Sequence, residues 1–176
     1  MEVILVNEQD EPIGTMEKIE AHEKALLHRA FSVFVFNDKG DLLLQKRAAG
    51  KYHSPGLWTN TCCSHPRPGF ELADEAKQRL QEEMGFTTEI EKAFDFIYKA
   101  PFDNGLTEYE FDHVFVGRYQ GSIEPNPAEV SDYCYKPVAD ILQSMQGQPH
   151  LYTAWFLIAL PRLAEFLAAR ESDKRA

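Results

Sequence analysis

The sequence predicts an α+β fold, a sandwich in which a sheet rich in antiparallel hairpins carries helices, rather than a doubly wound parallel sheet. Three observations predict it. Phe31-Ser32-Val33-Phe34-Val35-Phe36 and Leu42-Leu43-Leu44-Gln45-Lys46-Arg47 flank the turn-forming Asn37-Asp38-Lys39-Gly40-Asp41, which makes the clearest hairpin of the chain. Between Glu71 and Met84, the residues Leu72, Ala76, Leu80 and Glu83 fall near one face at helical spacing, acids crowd the first turn, and Gly85 stands where a C-terminal cap belongs. The remaining segments mix further hairpins with a few helices, and no internal repeat or low-complexity stretch interrupts them.

In chain order, residues 3–6 and 13–18 read as two short strands around the polar turn 7–12, an opening hairpin. A Gly- and Pro-punctuated loop occupies 48–58, and 59–64 is a brief strand that feeds His65-Pro66-Arg67-Pro68-Gly69. Residues 93–100 and 108–119 are strands around the turn Pro101-Phe102-Asp103-Asn104-Gly105, and 133–135 is a short strand. Helices over 138–145 and 154–170 close the fold, and the charged residues 171–176 are expected to fray.

Length and composition bound the function. A chain of 176 residues suits one domain spanning 1–176. A net charge of −10 argues against a partner that is nucleic acid, because tracking phosphates needs a basic face, and leaves room only for a local anion site. Cys62, Cys63 and Cys134 are odd in number and two are adjacent, which fits a reducing compartment better than a disulfide framework. The N-terminus carries acid where a signal peptide carries base. The most hydrophobic stretch, 151–169, is broken by Pro161, Arg162 and Glu165, so it is expected to pack in the core rather than cross a membrane. The expectation is a cytoplasmic protein, monomer or weak homodimer.

Chemistry-bearing residues concentrate in a few segments. Asn60-Thr61-Cys62-Cys63-Ser64-His65-Pro66 puts thiols and an imidazole in one stretch, and Glu108-Tyr109-Glu110 answers it downstream. Side chains of a strand alternate faces, so Glu108 and Glu110 point the same way, where two carboxylates either face water or share a cation. His22, His28 and His65 add three imidazoles, and three nitrogens with one or two carboxylate oxygens suit zinc, manganese or a similar divalent ion. The interval between His22 and His28 puts them on different faces of a regular helix, so both reach one ion only if that segment bends. Cys63 can be a nucleophile, a metal ligand, an acid/base group or a small buried hydrophobe, with Cys62 on the opposite face of an extended chain. Arg79 and Glu83 stand four apart, either as an ordinary helix-surface ion pair or with Glu83 holding a hard cation such as magnesium. Lys18, Arg47, Lys51 and Arg79 are solvated cations or contacts to a small anion. Trp155 is a core residue or an indole face for a passing cation.

Taken in order, His22…His28-Arg29-Ala30-Phe31, Pro55-Gly56-Leu57-Trp58-Thr59-Asn60-Thr61-Cys62-Cys63-Ser64-His65-Pro66, Glu82-Glu83-Met84-Gly85, Glu108-Tyr109-Glu110 and Tyr152-Thr153-Ala154-Trp155 resemble the type I isopentenyl-diphosphate isomerases, a branch of the Nudix superfamily. The resemblance runs from about Val3 to Trp155. It implies a Nudix α/β/α sandwich with a mixed sheet and an N-terminal hairpin addition, and conversion of isopentenyl diphosphate into dimethylallyl diphosphate in isoprenoid biosynthesis. It implies a divalent metal, Mn2+ or Zn2+, held by His22, His28, His65, Glu108 and Glu110. It further implies Mg2+ at Glu83, bridging to the substrate diphosphate and touching the Cys63 carbonyl, with Lys18, Arg47, Lys51 and Arg79 on the diphosphate. It assigns protonation to Glu110 helped by Tyr98, deprotonation to Cys63, and charge stabilisation to Trp155; the residues by themselves leave the direction of each proton transfer open. Set against the hydrolytic Nudix box, the chain has Ser64, Phe70, Gln78, Arg79, Glu82, Glu83 and Gly85, so several hydrolytic positions are missing. The rival reading is a Nudix pyrophosphohydrolase acting on a nucleoside or isoprenoid diphosphate.

Overall fold

The strand His28–Phe36 (β3) is buried at nearly every position and apolar from Val33 onward, the pattern of a strand covered on both faces. In the computed structural model, which describes residues 1–175, it is the centre of a mixed sheet. One edge of β3 runs parallel to Thr107–Arg118 (β8) over its whole length. Its other edge is shared antiparallel by Glu2–Val6 (β1), Cys62–Ser64 (β6) and Leu42–Arg47 (β4). The sheet extends through Pro12–Glu17 (β2) beside β1, Ile90–Pro101 (β7) beside β8, and Trp58–Thr59 (β5) and Val130–Lys136 (β9) beside β4.

Period-two alternation along β3 sorts its side chains between two cores. Phe34 and Phe36 pack with Val114, Ile141, Phe156, Leu160 and Leu163 beneath the helices Val138–Gly147 (α3) and Ala154–Arg175 (α4). Phe31, Val33 and Val35 pack with Ala76, Leu80 and Met84 of Leu72–Met84 (α2) on the other face. Helices therefore cover both faces of the sheet, giving the expected α/β/α sandwich with β1–β2 as the added hairpin. The apolar stretch near the C-terminus buries Trp155, Phe156, Ala159, Leu160 and Leu163 in the core. Among the described residues no helix is long and apolar enough to cross a membrane.

Three local features differ from the sequence reading. A short helix, Lys18–Glu23 (α1), follows β2, capped by the Glu17 carboxylate, which accepts from the Ile19 and Glu20 amides. The single strand expected over 59–64 is two, because the chain leaves β4 after Thr59 and joins β3 at Cys62. The helix expected to end at 170 runs to Arg175, and residue 176 lies outside the described residues.

Gly85 ends α2 in the left-handed region, φ 76°, and its amide donates to the Gln81 carbonyl. A Cβ there would sit 2.1 Å from the Glu124 carbonyl oxygen. Gly85→Ala is expected to destabilise the fold by more than about 1 kcal/mol, since strain and clash act together. A urea midpoint that falls at unchanged slope is the corresponding measurement.

Candidate active site

The histidines meet because α1 is short and the chain reverses after it. Ala25 takes a left-handed φ of 52°, which turns the backbone so that His28 opens β3 with its ring centroid 4.9 Å from that of His22. The bend that the His22–His28 spacing demands is therefore present. His65 follows β6, and its Nε2 lies 2.9 Å from Glu110 Oε1. Glu110 is the register partner of His28 across the parallel β3–β8 pair, and Glu108 shares its face of β8. Donor atoms of His22, His28, His65 and Glu110 lie within 4.8 Å of one another, all from buried residues.

This cluster fits a divalent ion. His22 Nδ1 donates to the Lys18 carbonyl at 2.6 Å and His28 Nδ1 to the Leu26 carbonyl at 2.8 Å. Each bond fixes the tautomer that leaves Nε2 with its lone pair facing the cluster, as an outer hydrogen bond does for a ligating histidine. Both Nε2 atoms are buried and lack a hydrogen-bond partner among the described residues. Burial pushes the His65 imidazole down to about 4, against the pull of Glu110, and the neutral ring is the ligating form. Burial pushes the Glu110 carboxyl up, while His65 and His28 beside it pull it the other way, to well below the usual range.

Beside the cluster opens a cavity of about 250 Å³ lined by Cys63, Tyr98, Glu108, Glu110 and Trp155. Tyr98 is the register partner of Glu110 on β7, and its hydroxyl lies 2.6 Å from Glu110 Oε2 and 2.7 Å from Glu108 Oε2. Burial pushes the Cys63 thiol up, with the Arg47 guanidinium as the opposing influence. Trp155 donates from Nε1 to Asn60 Oδ1 at 3.2 Å, and Asn60 Nδ2 donates to the Cys62 carbonyl at 2.8 Å. One buried amide thus ties the indole to the cysteine strand.

The four flagged cations line the same cavity. Lys18 is pushed down by burial and by the neighbouring charge of Lys51. Arg47 lies over the Trp155 ring at 5.3 Å, gives one amino group to the His53 carbonyl, and has a buried Nε without a partner among the described residues. Lys51 pairs with Glu129, which also stands 3.6 Å from Arg79. Glu83 lies behind this wall on the buried face of α2. Arg79 NH2 at 3.1 Å, the Cys62 thiol at 3.3 Å and Gln45 Nε2 at 3.3 Å all donate to its carboxylate.

Sequence reasoning did not single out Glu129, Gln45, His53 or Asp112. Glu129 and Gln45 carried no spacing signal. His53 sits in the loop between β4 and β5 and faces Glu108. Asp112 continues the Glu108–Glu110 alternation and was open to detection on that ground; burial raises its carboxyl well above the usual range, and Ser32 donates to it at 2.7 Å.

The NUDIX domain family matches residues 26–156 of the chain. The chain is 48% identical over 162 residues to an isopentenyl-diphosphate Delta-isomerase 2 of Aromatoleum aromaticum, covering 92% of this chain and 86% of that one. It is 47% identical over 173 residues to an isopentenyl-diphosphate Delta-isomerase of Pectobacterium atrosepticum, covering 98% and 97%. Among solved structures it is similar to DR0079 from Deinococcus radiodurans, with a TM-score of 0.77 at 18% identity over 92% and 98% of the two chains. It is also similar to a MutT protein from Methanosarcina mazei, with a TM-score of 0.67 at 18% identity over 79% and 94%. These two likenesses speak to the fold, whereas the sequence relatives are close along nearly the whole length. The chain belongs to the Nudix family and, within it, to the isopentenyl-diphosphate Delta-isomerases.

Proposed function

We propose that this protein converts isopentenyl diphosphate into dimethylallyl diphosphate in the cytoplasm, with Cys63 and Glu110 as the proton-transfer pair. The observation that carries the reading is that a thiol, a carboxylate–phenol pair and an indole converge on one cavity that four cations also line. Moving the double bond requires a proton on the terminal alkene carbon and the loss of one from the neighbouring methylene, so a donor and an acceptor must flank the carbon chain. Tyr98 has one hydroxyl hydrogen. Its hydroxyl reaches both carboxylates, so a proton taken up by this triad can be passed through Glu110 to the alkene. Cys63 then takes the methylene proton as a thiolate, a form that burial opposes and the Arg47 charge favours. The Trp155 face, backed by Asn60, meets the positive charge that builds between the two transfers. Phe31, Tyr98 and Trp155 line the cavity with ring surface, and such apolar walls limit capture of the intermediate by water once substrate fills it.

His22, His28, His65, Glu108 and Glu110 would hold one divalent ion, Mn2+ or Zn2+, and Glu83 would hold Mg2+ against the diphosphate. Bound there, the ions would raise the acidity of the donor side and neutralise phosphate charge. Lys18, Arg47, Lys51 and Arg79 grip the diphosphate. Lys51→Ala is expected to raise KM about tenfold or more, the value of one charge-assisted contact, with a smaller effect on kcat. A defect confined to kcat in steady-state kinetics would contradict this role. The protein works as a monomer or weak homodimer without nucleic acid or membrane.

A pyrophosphohydrolase of this family would use a glutamate to organise metal and water at the position where this chain has Arg79, a cation that pairs with Glu82 and Glu83 at 2.6 and 3.1 Å and cannot ligate a metal. Proton NMR of isopentenyl diphosphate in deuterated water with magnesium tests the proposal. Deuterated dimethylallyl diphosphate, absent with Cys63→Ala, supports isomerisation, and released phosphate supports hydrolysis.

A further inference from the structure

His53 stands outside the four-donor cluster, yet it is buried and faces the same cavity. Its Nε2 lies 2.7 Å from Glu108 Oε1, and its Nδ1 lies 3.3 Å from the Ser54 hydroxyl. The neutral tautomer that accepts from Ser54 and donates from Nε2 to the carboxylate satisfies both neighbours. Phe102 stacks on the imidazole at 4.8 Å and 4°, while Tyr52 and Trp155 meet it edge-on. The ring is clamped in plane and direction, with its N–H aimed at one oxygen.

That oxygen belongs to a ligand candidate that needs orienting. Glu108 is buried, its Oε2 receives the Tyr98 hydroxyl, and its Oε1 faces His53. A carboxylate has about four lone-pair sites, so both contacts leave room for an ion. Donors placed behind a ligating carboxylate fix its rotation and strengthen metal binding. We infer that His53 is a positioning residue whose Nε2–H holds Glu108 in the orientation that lets the His/Glu centre bind its divalent ion tightly. The inference rests on the metal role proposed for that centre. His53 also lies within 4.8 Å of His22 and Glu108 as a potential third donor to an ion, so the test must separate orienting from ligating.

Metal-free protein is titrated with Zn2+ against a chromogenic chelator for the wild type, His53→Gln, His53→Leu, His53→Asn and His22→Ala, with a melting curve for each. His53→Leu is expected to weaken Zn2+ binding about 10- to 100-fold. His53→Asn, too short to reach Glu108, should weaken it similarly and carries the test if the leucine variant does not fold. His53→Gln, whose amide reaches the same oxygen, should keep most of the affinity, and His22→Ala should lose the most. Wild-type affinity in the leucine or asparagine variant, with His22→Ala impaired, overturns the inference and leaves the metal centre standing. Glutamine as weak as leucine also overturns it, because the ring itself is then required. Full affinity in His22→Ala removes the centre and the inference together.

Discussion

Cys63→Ala is expected to lower kcat by about 10²- to 10⁴-fold, the range supplied by a positioned proton-transfer group. The substitution removes one sulfur and little else. Strand β6 is held by backbone pairing with β3, Ser32 opposite Cys63, and the Asn60 amide fixes the preceding carbonyl. The Cys63 carbonyl survives in alanine, so divalent ion content is expected to stay at the wild-type level while product formation, followed by NMR, disappears. Cys62 supplies the contrast. Its thiol lies in the α2-side core and donates to Glu83, so Cys62→Ala should keep most of the turnover while requiring more magnesium. Equal loss of kcat in the two variants would remove Cys63 from the proton-transfer pair.

Glu110→Gln is expected to cost still more, because both proposed roles, acid and metal ligand, fall on one carboxylate. Oε1 faces His65 at 2.9 Å and His28 at 3.5 Å, and Oε2 faces Tyr98 at 2.6 Å. The amide removes the ligand charge on one side and the transferable proton on the other. The expected result is loss of turnover beyond 10²- to 10⁴-fold, the effect of an acid/base group alone, together with weaker binding in a chelator competition. Turnover like the wild type would exclude Glu110 as an acid. Unchanged metal affinity would exclude it as a ligand.

Much of this architecture was legible in the sequence because local patterns carry it. The hairpin around Asn37–Asp41, the apolar stripe and Gly85 cap of α2, and the alternation of Glu108 and Glu110 all reflect backbone geometry over a few residues. The family motifs then brought His22, His28, His65 and Cys63 into one reading. What escaped was decided by partners distant in sequence. α1 is one and a half turns long and depends on the Glu17 cap, so it lacks a helical period to detect. The burial of Glu83 had a hint in its place beside Leu80 on the apolar stripe, but its bonds to Gln45 and Cys62 arise only when α2 docks on β4 and β6. His53 lies in a loop without periodicity, and its contact with Glu108 joins residues 55 positions apart in sequence.

The parallel β3–β8 ladder also sets the order in which the molecule can become competent. It joins Ser32 to Asp112 across 80 residues and places His28 opposite Glu110. A chain emerging from the ribosome displays His22, His28, His65 and Cys63 well before β8 exists to bring the carboxylates. Until that late, non-local pairing forms, the imidazoles lack their acidic counterpart, and closing so long a loop is among the slower steps of folding. An ion that binds only the finished ladder would favour the native state by mass action. Metal supply would then act as a control on yield during synthesis as well as on the rate of the mature enzyme.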